Sequence, residues 1–342
     1  MNSHAIEIAP VADDSRERMQ RLSGIAEQLL AQARAAGASQ AEVSCNEDSG
    51  LAVNVRMGEV ETVEATRDRG IAVTVYFGTR KGSASTADLR EDSLQATVSQ
   101  ACAIARHTED DPASGLADAG LMATTLREFD GWHPANFDAD RAVAIALAAE
   151  AAGREVDARI GNSDGASANA GATISVYANS HGFLGAERST SYSIGCALIA
   201  GEGEDMQRDY WYSSMRDARE LAAPEAVGRY AAERALSRLG HRRLSTRQCP
   251  VLFESPLAAG LLGHFVQAVS GGALYRRTTF LLDSLGQAVF PKHIDIVEDP
   301  FVRGGKGSSP FDDEGVRVQP RQLVDGGRVQ GYFLGTYSAR KL

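Results

Sequence analysis

Residues 41–77 read AEVSCNEDSGLAVNVRMGEVETVEATRDRGIAVTVYF. Ala41 to Cys45 alternates apolar and polar residues, and Leu51 to Arg56 does so again. Such a period of two places one row of side chains on a buried face. Met57-Gly58-Glu59 then turns the chain back into Val60 and Val63, which predicts an antiparallel hairpin. Gly70 to Phe77 follows as a strand of β-branched and aromatic residues. Upstream, Ser15 to Ala36 carries Met19, Leu22, Ile25, Ala26, Leu29 and Leu30 at helical spacing, with Gly37 past its end. Downstream, RKGSASTADL (80–89) is small and polar and ends beside Asp88, a side chain suited to starting a helix. Helices are expected at Glu91–His107 and from Asp138 to Val156, with an acidic surface loop over 108–120 between them. One helix, several strands in succession, then two helices is an α+β arrangement with an antiparallel sheet, not alternating βαβ units.

The second half turns to β. Strands are expected within 172–177, 189–199 and 206–214, followed by a helix from Pro224 to Leu239. A basic connector, 242–248, suggests a boundary between an N-terminal α+β domain (15–241) and a β-rich C-terminal domain (249–342), with 1–14 as a flexible tail. The C-terminal part opens on an apolar run, Val251 to Glu254, read as a buried strand. A helix follows over 256–270, where His264 lies among aliphatic residues and Ser270-Gly271-Gly272 stops the turn. Asp325-Gly326-Gly327 predicts a hairpin, with 329–337 as the returning strand.

Length and charge bound the function. A chain of 342 residues exceeds what one core usually serves. The net charge of −10 argues against general nucleic-acid binding, which needs a basic face. No apolar run approaches membrane-spanning length, and MNSHAIEIAPVADDSRERMQ has no basic segment leading into an apolar one. The four cysteines are scattered and form no CxxC pair, which suits buried, reduced thiols in a cytoplasmic protein.

Chemistry-bearing motifs are few. A metallopeptidase helix brings two histidines to one ion beside a water-activating glutamate. The seven histidines here are dispersed, with no two a helical turn apart, so His264 reads as an isolated, packed residue. Gly161-Asn162-Ser163-Asp164-Gly165 fits G-x-S-x-G in letters, but a helix precedes it and a strand follows, the reverse of a nucleophile elbow. Gly304 to Ser309, GGKGSS, lacks the residue order of a P-loop and reads as a flexible surface loop. Two constellations could line a groove for extended peptide: Tyr275-Arg276-Arg277, and Asp312 with Glu314 in the acidic loop FDDEG.

Several segments in order resemble the PmbA (TldE) branch of the PmbA/TldD family. They are RKGSASTADL, ANSHGFLG (178–185), DMQRDYWY (205–212), GLLGHFVQAVSGGALYRRTTFLLDSLGQAVFP (260–291), SSPFDDEGV (308–316) and GYFLGTYSARKL (331–342). The resemblance implies a cytoplasmic, two-subunit metalloprotease that cleaves unfolded peptides, in peptide maturation and antitoxin turnover. In it a TldD-type subunit carries zinc or iron on a His-Glu-x-x-x-His helix, and the PmbA-type subunit completes a shared cavity. His264 falls at the second histidine of that motif, whereas Ala259 and Gly260 occupy the first histidine and the glutamate. The expectation is a subunit with no catalytic residue and no cofactor of its own, His264 being its one weak metal candidate. His264, Tyr275, Arg276, Arg277, Asp312 and Glu314 would border a peptide or partner groove. The family's link to DNA gyrase leaves a non-enzymatic regulator as an alternative, and ligands outside the motif would leave a self-sufficient metallopeptidase. Family chains continue beyond Leu342, so the C-terminal domain is expected to be partial.

Overall fold

The computed structural model describes residues 13–342, so most of the expected N-terminal tail, residues 1–12, lies outside it. Its centre is a six-stranded antiparallel sheet. The strands are β1 (Gln40–Arg56), β2 (Glu59–Phe77), β3 (Arg80–Thr86), β4 (Asn162–Asn179), β5 (Leu184–Ala200) and β6 (Gln207–Met215), in the order β3-β2-β1-β4-β5-β6. The α+β fold expected from the sequence is the fold found.

Strand lengths differ from expectation. β1 and β2 run unbroken through segments 46–50 and 64–69, which the apolar pattern left as gaps. The reason lies in polar pairing on one face: within β1 Asn46 donates to Asp48 at 2.7 Å, and across the ladder Thr173 on β4 donates to the same carboxylate at 2.7 Å. Ladder hydrogen bonds need no apolar side chains. Likewise 80–86, read from the sequence only as small and polar, is the edge strand β3. The hairpin at Met57-Gly58 is confirmed, with both residues at positive φ (53° and 83°), as a tight primed turn requires.

Four helices cover one face: α1 (Ser15–Ala35) over β1 and β4, α2 (Glu91–His107) over β2 and β3, α3 (Ala139–Arg154) over β1, β4 and β5, and α4 (Pro224–Ser237) over β5 and β6. Val43, Cys45, Val53 and Val55 of β1 all point into these cores. The helices are alanine-rich because they sit close. At the α3–α4 crossing a Cβ on Gly228 would stand 1.8 Å from the Ala149 carbonyl oxygen. Buried Glu150 of α3 accepts the N–H groups of Met57 and Gly58 at 2.8 and 2.7 Å and so fixes the β1–β2 turn.

The opposite sheet face is small and polar, with Ser44, Asn46 and Asp48 on β1, Thr173 and Ser175 on β4, and Glu187, Ser189 and Ser191 on β5. The C-terminal segment leans against one end of it. Phe311 packs edge-on against Phe183 at 5.1 Å between ring centres, within a small cluster that includes Tyr177 and Met122.

That C-terminal segment contains α5 (Ser255–Ala268), α6 (Gly271–Tyr275), β7 (Ile296–Glu298), β8 (Arg321–Asp325), β9 (Arg328–Val329) and α7 (Thr336–Lys341). Val251 to Glu254 is not the expected buried strand: it is extended but exposed, Leu252 almost completely (98%). The chain ends in α7, not in a long returning strand, because β9 pairs with β8 over only two residues. Ser270 ends α5 by beginning α6, its hydroxyl accepting the Ala273 N–H.

Candidate functional site

Helix α5 carries His264, and the structure places it in the open. Only Phe265 of this helix is buried, packed edge-on at 5.2 Å against Phe290, while Leu257, Leu261, Leu262 and Val266 are exposed. The packed environment expected for His264 is therefore absent: the imidazole is solvent-exposed. Ala259 and Gly260 stand one turn earlier and offer no donor atom beyond the backbone. Among the described residues, no three His, Cys, Asp or Glu side chains converge as a metal-ligand set. The side chains on α5 do not fit a bound metal ion.

The other expected groove residues fall into two groups that meet across α7. Arg276 lies over the Tyr275 ring at 5.2 Å and donates to its hydroxyl at 3.1 Å, and Arg277 ends α6 at φ 57°. Tyr275 packs edge-on against Tyr337 of α7 at 5.8 Å. On the other side, Glu314 accepts the Thr336 N–H at the start of α7 at 2.8 Å. Asp312 accepts the N–H groups of Glu314 and Val316 at 2.9 and 2.8 Å and closes its own turn. Burial raises the Asp312 pKa, and the neighbouring carboxylates of Glu314 and Asp313 add to this. Asp312 and Glu314 also border a hollow of about 600 Å³ with Glu298, Arg317, Arg321 and Phe333. Among the described residues, no hydrogen bond or ion pair joins the Tyr275–Arg277 group to Asp312 or Glu314, and His264 touches neither.

The acidic loop 108–120 is more than surface. Asp111 accepts from Tyr337 at 2.7 Å and Lys341 at 2.8 Å, and Arg340 reaches the carbonyls of Ala113, Gly115 and Leu116. The Lys341 hydrogen bond leads the causes that hold the Asp111 carboxyl down to about 2.

The cleft that composition concealed lies on the polar sheet face. A hollow of about 620 Å³ is walled by Thr173, Ser175, Glu187, Arg188 and Ser189 of the sheet, by 127–132, by Arg216, and by 305–310. The GGKGSS loop, expected to be flexible, is tied down there. Gly304 N–H donates to the Phe129 carbonyl at 2.7 Å, and the Ser309 hydroxyl donates to Glu187 at 2.6 Å. Its glycines and lysine were the legible signal. Arg216 stands alone in an uninformative stretch and carried none.

The remaining motif candidates are structural. Ser163 is fully buried at a β-bulge, its hydroxyl accepting the Gly165 N–H at 2.9 Å. Burial pushes the thiols of Cys45 and Cys196 up to about 12, so neither is a thiolate at neutral pH. Cys249, expected to be buried, is exposed.

Three family models match in sequence order. PmbA/TldA metallopeptidase domain 1 matches residues 41–105, the central domain 132–239 and the C-terminal domain 246–342. Metalloprotease PmbA of Escherichia coli O157:H7 is 44% identical over 302 residues, 88% of this chain and 67% of that protein. A Haemophilus influenzae PmbA homolog is also 44% identical, over 90% of this chain and 68% of its own length. The chain belongs to the PmbA/TldD metallopeptidase family. Solved structures of the same fold include a Bacteroides thetaiotaomicron protein described as a candidate modulator of DNA gyrase. It has a TM-score of 0.88 and 25% identity, covering 94% of this chain and 74% of that one. TldE of Thermococcus kodakarensis shares the fold at a TM-score of 0.76 and 17% identity, over 93% of this chain and 71% of its own. The chain thus spans about two thirds of the length of its curated PmbA/TldD relatives. No helix among the described residues is long and apolar enough to cross a membrane.

Proposed function

We infer that this chain is the PmbA/TldE-type subunit of a heterodimeric metallopeptidase, with the metal on a TldD-type partner and this subunit holding extended, unfolded peptide. One observation carries the reading. On α5, where a His-Glu pair would have to precede His264, Ala259 and Gly260 provide neither a ligand nor a base. The polar sheet face supports peptide holding, since its hydroxyls and amides can meet peptide backbone along an extended line. The partner's ion would be zinc or iron, and the site of action the cytoplasm.

The test compares the purified chain alone, a TldD-type subunit alone and the mixture, on an unstructured peptide, with metal content measured in each. Cleavage that needs both subunits, with metal only in the TldD-type chain, is the expected result. Metal-dependent cleavage by this chain alone overturns it.

A further inference from the structure

The hollow beneath the GGKGSS loop holds two cations whose hydrogen-bond acceptors are all neutral, although Glu187 lies near enough to Arg216 to feel its charge. Arg216 donates through its Nη1 to the Thr190 carbonyl at 3.3 Å and through its Nη2 to the Lys306 carbonyl at 2.9 Å. Both acceptors are neutral, and its Nε is buried with no hydrogen-bond partner. Lys306 donates to the Ser214 hydroxyl, another neutral group. Among the described residues, neither cation has a carboxylate within ion-pair distance. The other charges nearby are accounted for differently: Arg188 pairs with Asp13 at 2.9 Å, Asp130 pairs with Arg303 at 2.8 Å, and Arg127 lies over the Phe301 ring at 4.3 Å.

Two close cations in a partly desolvated cleft repel each other unless an anion joins them. Burial, and after it the nearby Arg216, lower the Lys306 pKa. The walls limit which anion could join them. Glu128, Glu187 and Asp313 also border the cleft, and Glu187 is hydrogen-bonded by Ser309. Arg127, Arg216 and Lys306 match those three carboxylates in number, so a dianion such as phosphate would meet strong repulsion from them, whereas a single carboxylate set between Arg216 and Lys306 meets less. Thr173, Ser175 and Ser189 line the floor with hydroxyls, and Met19 and Trp132 add apolar surface. That mixture suits peptide better than a free ion.

We propose that Arg216 and Lys306 form a subsite for a carboxylate of a bound peptide, under the GGKGSS loop and against the polar sheet face. The subsite rests on the peptide-holding reading above and adds to it a preference for chains that present one carboxylate there.

Anisotropy of a labelled, unstructured peptide free of Asp and Glu tests this with the full chain. Three forms are compared: a free C-terminal acid, a C-terminal amide, and an amide carrying one internal glutamate. The free acid or the glutamate form is expected to bind about tenfold or more tighter than the plain amide. Lys306→Gln should abolish that difference, and Lys306→Arg should restore it. The circular-dichroism melt of each variant checks that the loop substitution leaves the fold intact. Equal binding of acid and amide forms overturns the subsite alone, as does an acid preference that survives both Lys306→Gln and Arg216→Gln. Inorganic phosphate binding more tightly than the acid peptide overturns the carboxylate assignment. Failure of every peptide to bind overturns both the subsite and the peptide-holding reading.

Discussion

Replacing Gly228 by alanine tests the packing that holds half of the sheet in place. Gly228 lies in α4 where it crosses α3, and an added Cβ would sit 1.8 Å from the Ala149 carbonyl oxygen, 2.8 Å from that carbonyl carbon and 3.1 Å from the Gly153 nitrogen. These are backbone atoms, so no side-chain rotation relieves the clash. An ordinary C···O contact begins near about 3.3 Å, so the helices must part by about 1.5 Å. Parting them loosens Ala146, Ala149, Ala231, Ala232 and Ala235, all fully buried at this seam. Overpacking of this kind costs about 3 kcal/mol, and alanine's better helix propensity returns about 1 kcal/mol. Gly228→Ala should therefore lose about 2 kcal/mol and melt about 4–8 °C lower. Gly24→Ala is the control. It lies on the exposed side of α1, and nothing stands within 4 Å of its added Cβ. Propensity acts alone there, so it should gain about 0.5–1 kcal/mol. Urea unfolding followed by circular dichroism reads both. A Gly228→Ala chain as stable as the parent, with Gly24→Ala stabilised, would show that the helices can separate freely and would refute the close-crossing argument.

Glu150→Ala strips the acceptor from the N–H groups of Met57 and Gly58 and should cost about 2–3 kcal/mol. Glu150→Gln keeps one carbonyl oxygen, so denaturant midpoints should fall in the order parent, Gln, Ala. Asp111→Ala should free the end of α7, seen as faster amide exchange over 336–342 with the sheet amides unchanged. The same contact is acid-sensitive: the folded Asp111 pKa is depressed to about 2 from 3.8, so its contribution is complete above 3.8. It is lost as pH falls towards 2, and α7 exchange should accelerate in that window. Arg340, held by carbonyls that do not titrate there, should retain part of the docking.

Where apolar periodicity set the structure, it could be read directly. The α1 and α2 helices and the Met57-Gly58 hairpin follow from residue spacing and from glycine's tolerance of positive φ. Segments 46–50 and 80–86 were not legible as strand, because Asn46 and Asp48 gain their β structure from β4, far along the chain, and Ser83 gains its own from the ladder with β2 rather than from apolar alternation. Val251 to Glu254 misled in the opposite sense: an apolar run signals burial only if something covers it. The groove residues show the same division. Tyr275 and Glu314 were legible as candidates, but their meeting at α7 depends on how the chain end folds back.

By itself the sequence determined the α+β class, the family and the central fact about α5, that Ala259 and Gly260 precede His264 where a His-Glu pair would be needed. These are properties of local spacing and residue identity. Only the tertiary structure decided that His264 is exposed, and that α7 closes on the acidic loop. It alone brought Arg216 and Lys306 together, 90 positions apart, at one cleft. Burial and charge pairing depend on which distant segments meet, and linear spacing does not encode that meeting.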